Sequence, residues 1–182
     1  MSIKFEGFSN ADMPRLEGAV MLLMAGSKKA KQALLSGDLA AYQKWFDGTG
    51  NNAHLFKVST IVNEIDNALT TKQITFVNAT GNAIHRDQQG LCGYVFLINN
   101  GPGLPAAHFG SGMRIMMVPR THNGNVGDLA ETMYHELAHK VGGVRDVTYN
   151  IDTCLSNAKN DPRSAADNAE NYNRFFGEFT FA

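Results

Sequence analysis

Apolar residues recur at helical spacing in the first third of the chain, where Leu16, Ala19, Val20, Leu23 and Met24 form one stripe and Val58, Ile61, Val62, Ile65 and Leu69 another. At about 100° per residue such sets share one helix face. Both stripes are therefore expected to face a core, and Pro14 is well placed near a helix start. The middle third changes character. Residues 74–77, 94–98 and 114–118 are short β-prone runs separated by Gly, Asn and Pro clusters, with 101–105 as a loop, the pattern of a small sheet. Helical spacing returns with Ala130, Met133, Leu137 and Val141, and again with Ala165, Ala169, Tyr172 and Phe176 after a start signal at Asp161 and Pro162. The order predicts an α+β fold, mainly helical, with a small β-sheet.

The third stripe predicts a helix over 129–141, with Asp128 as its N-cap and Gly142-Gly143 as its stop. It carries the run His135-Glu136-Leu137-Ala138-His139. Residues four apart lie one above the other on a helix, so both imidazoles can meet one metal ion while the glutamate between them handles a water on that ion. The two histidines project from nearly the opposite side to the apolar stripe, which puts the pair on a cleft. A catalytic zinc takes three protein ligands and keeps a position for water. No histidine follows His139, so a distal third imidazole is excluded. Asp146, just beyond the Gly-Gly reversal, is the best-placed carboxylate, and Glu170 is the main competitor.

Composition narrows the partners. The chain has 182 residues, 18% of them charged, with a formal net charge of -1, which leaves no electrostatic footprint for nucleic acid or an anionic membrane. The apolar run 19–25 is too short to span a bilayer. No compositional break divides the sequence, so residues 1–182 are expected to form one domain, and a monomer is expected. Lys28, Lys29 and Lys31 read as a solvated helix face. Cys92 and Cys154 admit two readings: a disulfide closing a loop of roughly 60 residues, or two buried apolar thiols. His54, His85, His108 and His122 lack partners at metal spacing, although His122 stands close enough to the zinc helix to reach a cleft rim.

The motif residues resemble the aspzincins, the family of deuterolysin and the fungal peptidyl-Lys metalloendopeptidases. Its signature, His-Glu-x-x-His followed by Gly-Thr-x-Asp-x-x-Tyr-Gly, is met here by Gly143, Asp146 and Tyr149, with Val144 in place of Thr and Asn150 in place of the last Gly. The resemblance covers most of the chain. Tyr42 to Gly48, Lys72 to Asn78, Met113 to Pro119 and Asn168 to Asn173 follow the family's order of elements. It implies a zincin-like metalloprotease fold with a zinc-binding active-site helix, and a zinc endopeptidase acting on protein or peptide. Export is expected, because the family is mostly secreted, although no signal peptide is visible at Met1 to Phe8.

The expected chemistry is one Zn2+ per chain held by His135, His139 and Asp146, with Glu136 taking a proton from the activated water and passing it to the leaving amine. By resemblance, the Tyr149 hydroxyl donates to the developing oxyanion. Also by resemblance, Glu170 and Asn173 occupy positions that in the peptidyl-Lys members are acidic and receive a lysine side chain. One carboxylate is kept and one lost, which predicts a weak preference for a basic residue after the scissile bond. The same water activation would serve a zinc amidase acting on cell-wall peptide as a secreted toxin. A non-catalytic metal-binding protein is the third reading, and the retained Glu136 argues against it. The strand over 114–118 is read as a sheet edge that pairs with substrate backbone, or alternatively as an interior strand.

Overall fold

The computed structural model describes residues 2–79, 93–94, 113–117 and 125–180. Cys92, His85, His108, His122 and the loop 101–105 lie outside these residues, as do 95–98 of the second β-prone run. Seven helices and four strands are described. They are β1 (Ser2–Glu6), α1 (Met13–Ser36), α2 (Ala40–Trp45), α3 (Leu55–Thr71), β2 (Gln73–Asn78), β3 (Gly93–Tyr94), β4 (Met113–Met117), α4 (Val126–Gly142), α5 (Ile151–Asn160), α6 (Pro162–Ala166) and α7 (Ala169–Gly177).

Helix α1 begins with Pro14 in its first turn and ends at Gly37, whose φ of 79° is the left-handed geometry that glycine adopts without a Cβ penalty. Its stripe Leu16, Ala19 and Leu23 is buried, as is that of α3 through Val58, Ile61, Val62 and Ile65. Both stripes pack on α4, which also contacts α7. Leu129, Ala130, Met133, Tyr134, Leu137 and Ala138 of α4 are all fully buried. The zinc-motif helix is thus the centre of the helical layer, covered on several sides rather than lying with one open face.

The sheet runs in the order β1-β2-β4-β3. β1 pairs parallel to β2 with Ile3 opposite Ile74, β2 pairs parallel to β4 with Phe76 opposite Ile115, and β3 closes antiparallel on Met116 and Met117. Among the described residues β4 therefore lies between β2 and β3 at Met116 and Met117, and β1 and β3 are the outer strands. Of the two readings of 114–118, an edge or an interior strand, the pairing at Met116 and Met117 favours the interior one. Strand β1 is an addition to the predicted elements. Its alternating Ile3 and Phe5 pack inward, with the Phe5 ring 5.9 Å from Phe76, and Arg114 of β4 makes a two-pronged ion pair with Glu6 at 2.8 and 2.9 Å.

Two boundaries differ from prediction. Helix α4 starts three residues early because its N-cap is Asn125; Asp128 sits at N3 and completes a reciprocal capping box. The C-terminal helical stretch is broken at Asp167 and Asn168, and the break has a cause. The backbone there pairs with Arg145, Arg145 N–H donating to Asp167 O and Ala169 N–H to Arg145 O, each at 2.8 Å. The extended chain after the zinc helix is thereby tied to the start of α7.

Candidate metal centre

Helix α4 ends at Gly143, with φ 63°. A Cβ on the preceding Gly142 would meet Ile61 Cγ2 at 2.9 Å, so only a glycine lets the helix end press against α3 there. Beyond the turn Val144 is buried, and the chain runs on through Arg145 to Asp146 beneath the histidine face of the helix.

Three side chains meet there. His135 Nε2 lies 3.1 Å from His139 Nε2 and 3.1 Å from Asp146 Oδ1, and His139 Nε2 lies 3.2 Å from the same oxygen. Four ligands at about 2.0–2.1 Å around a tetrahedral zinc would sit about 3.3 Å apart. The triangle has the size and donor set of such a site, two imidazole nitrogens and a carboxylate oxygen. These three form the one group of the kind that could hold a metal ion among the described residues. Glu170, the competing carboxylate, is on the other side of the His135 ring, facing Nδ1 at 3.4 Å.

Both imidazoles have their remote nitrogen occupied. His139 Nδ1 lies 2.7 Å from the Val144 carbonyl, so Nδ1 carries the proton and Nε2 is free as a ligand. On His135, Nδ1 faces Glu170 Oε2 at 3.4 Å. Burial alone would lower the basicity of His135, but Asp146 and Glu170 outweigh it and raise the pKa to about 9. Burial would likewise raise Asp146, but the two histidines hold its carboxyl well below the usual carboxylate range.

Glu136 is 3% exposed, and its Oε2 is buried without a hydrogen-bond partner among the described residues. Leaving a buried carboxylate oxygen unpaired is costly. Such an atom beside a converged donor triangle is suited to a water or substrate proton, which is what a general base needs. Burial raises the Glu136 pKa to about 7, against the opposing pull of His135 and His139. Tyr149, at 56% exposure, stacks its ring along His135 with centroids 5.7 Å apart. Partial burial and the neighbouring Asp146 hold its pKa far above the usual phenol value, so it is present as a donor.

The one signal for Asn168 in the sequence is its place at the head of the late Asn-Ala-Glu segment. It is fully buried. Its side-chain oxygen accepts the backbone N–H groups of Val147 at 2.9 Å and Thr148 at 3.2 Å, and its amide donates to the Thr148 carbonyl at 3.0 Å and to Asn171 Oδ1 at 2.7 Å. The loop carrying Asp146 and Tyr149 is pinned by one side chain. Cys154 packs against the same amide and is a free, buried thiol, pushed up to about 11 chiefly by burial.

Residues 30–177 match the aspzincin family model, described as lysine-specific metallo-endopeptidase. Among solved structures the chain is similar to a zinc peptidase from Grifola frondosa, with 20% identity and a TM-score of 0.69 over 93% of this chain and 96% of that one. At that identity the likeness is one of fold. Comparison with individually curated proteins gives no match.

Proposed function

The chain belongs to the aspzincin family and is a zinc metalloendopeptidase, and from that premise we propose that His135, His139 and Asp146 hold the zinc ion, that Glu136 is the proton carrier and that Tyr149 is an oxyanion donor. The observation that carries this reading is the Oε2 of Glu136, without a hydrogen-bond partner among the described residues, beside the triangle of donors. When bound, zinc supplies the Lewis acidity that makes water nucleophilic near neutral pH and polarises a scissile carbonyl. Glu136 Oε2 accepts the proton of the attacking water. The same oxygen returns that proton to the leaving amine. Tyr149 stacks along the His135 ring with its hydroxyl protonated, which supports a role as donor to the oxygen on which negative charge develops.

The substrate is a protein or peptide, and selection after the scissile bond is proposed to be weak. Glu170, the acid retained from the lysine-binding pattern, is 4% exposed and already bonded to Arg174. Asn173 brings no charge. One large hydrophobic cluster among the described residues runs from Leu16 to Phe176, which supports a single domain over 1–182.

The test is hydrolysis of casein by the purified protein, abolished by a zinc chelator and restored by added zinc, with purified cell wall assayed in parallel. Release of cell-wall peptide without casein cleavage would replace the endopeptidase reading by that of an amidase.

A further inference from the structure

Six large apolar side chains stand exposed among the described residues, and three of them are neighbours in the chain: Val147 at 46%, Tyr149 at 56% and Ile151 at 45%. The others, Met21, Leu35 and Phe56, are spread along α1 and α3. Single exposed apolar residues are ordinary, whereas a contiguous group marks a surface that meets a partner. This group begins at the residue after Asp146 and takes every second position. The residues between do the opposite work. Thr148 Oγ1 accepts the Asn150 N–H at 3.1 Å, and Asn150 Oδ1 accepts the Thr153 N–H at 2.9 Å to cap α5. The N–H and carbonyl of Thr148 are both bonded to the Asn168 side chain, at 3.2 and 3.0 Å. The polar side chains thus fix the backbone and leave the apolar ones to solvent. Ile151 lies on the side of α5 that carries the buried Ala158 two turns later, yet it is itself uncovered. The Tyr149 ring stacks on His135 with planes 18° from parallel, which sets the group against the metal centre.

We propose that Val147 and Ile151, flanking Tyr149 in the chain, form an apolar shelf for the side chain of the substrate residue before the scissile bond, and that the enzyme favours a bulky apolar residue there. This inference rests on the endopeptidase site proposed above. The scissile carbonyl belongs to the residue before the bond, so a donor to its oxygen brings that residue against the donor's own neighbours in the chain. Seating an apolar side chain on the shelf removes apolar surface of both partners from water. A shelf whose backbone is fixed beforehand loses little freedom on binding. The residue after the bond is left to the weak selection described above.

The test is a peptide library varied at the residue before the cleaved bond, digested by the zinc-loaded wild type and by Val147→Ser, Ile151→Ser and, as a control, Leu35→Ser. The wild type should favour Leu or Phe over Ala at that position by about tenfold in kcat/KM, the low end for an added apolar group because the shelf is half open. Val147→Ser and Ile151→Ser should each cut that ratio at least about threefold at unchanged zinc content, acting more on the Leu and Phe peptides than on the Ala peptides. Leu35→Ser should leave the ratio as it is. Equal cleavage of Leu, Phe and Ala peptides by the wild type, or a ratio untouched by both shelf substitutions, would overturn the shelf alone. No cleavage of any library peptide by the zinc-loaded wild type would instead overturn the endopeptidase reading beneath it.

Discussion

The side-chain oxygen of Asn168 accepts the backbone N–H of Val147 at 2.9 Å, and this bond fastens the residue next to Asp146 onto the start of α7. Nothing in the loop 144–150 forms a helix or a ladder of its own beyond the single bridge at Arg145. Its position therefore depends on side chains reaching it from elsewhere, and Asn168 supplies three of those bonds.

Asn168→Ala should accordingly act on stability and on the metal site together. Two backbone N–H groups would lose their acceptor, a cost of about 2–4 kcal/mol in total. Zinc affinity should fall by at least about tenfold, because a loosened Asp146 no longer meets the histidines. Denaturant unfolding of the zinc-free protein and a zinc titration read the two effects separately. A stable variant with wild-type zinc affinity would show that the loop holds itself.

Tyr149→Phe removes one hydroxyl while keeping the ring that stacks on His135. Zinc should be retained and kcat should fall by about a hundredfold, the scale of losing one oxyanion donor. An unchanged kcat would make Tyr149 a packing residue.

Gly26→Ala tests the seat of α7 on α1. A Cβ at position 26 would meet Phe176 Cε2 at 2.6 Å and Thr180 Cγ2 at 2.7 Å. The Phe176 ring is fully buried and stacks on Tyr134 at 4.4 Å, so it has little room to yield. Overpacking costs of about 1–3 kcal/mol should exceed the gain of about 1 kcal/mol from helix propensity. The melting temperature should drop, and a rise would show that Phe176 repacks without strain.

The relation of sequence to structure is uneven, and the reasons are physical. The pairing of His135 and His139 was legible because i and i+4 meet on any helix. The stripes of α1 and α3 were legible because burial on one face imposes its own period. Helix α5 was not, since Cys154 and Ala158 are its buried residues and no stripe marks it. The break between α6 and α7 was hidden for a different reason. Ala165, Ala169, Tyr172 and Phe176 keep the helical period across it, while the backbone is pulled aside by Arg145, more than twenty residues away. The same tie brings Asp146 to the histidines, so spacing could nominate that carboxylate but could not choose it over Glu170. For Glu170 the sequence offered only its place in the late segment. Its engagement with Arg174 and His135 depends on how α7 packs against α4.

Glu178 gives a pH dependence with a definite sign. Its Oε1 accepts from Lys44 at 2.6 Å and Trp45 Nε1 at 2.9 Å, and the Lys44 bond holds its carboxyl below the usual value of 4.5. A depressed carboxyl pKa contributes stability above the unfolded value and loses it as pH falls through the folded one. The wild-type protein should exceed Glu178→Gln in stability near neutral pH by a small margin, since the group is about one-third exposed. That margin should shrink below about pH 4.5. A margin that persists in acid would trace the difference to packing against Trp45.

The central claim is that Glu136 moves the proton in a site whose metal it does not hold. Zinc content and casein hydrolysis measured side by side for Glu136→Gln test it most directly. The expected result is one zinc per chain, as in the wild type, with hydrolysis lowered by at least about a hundredfold. Wild-type hydrolysis by the zinc-loaded variant would contradict it.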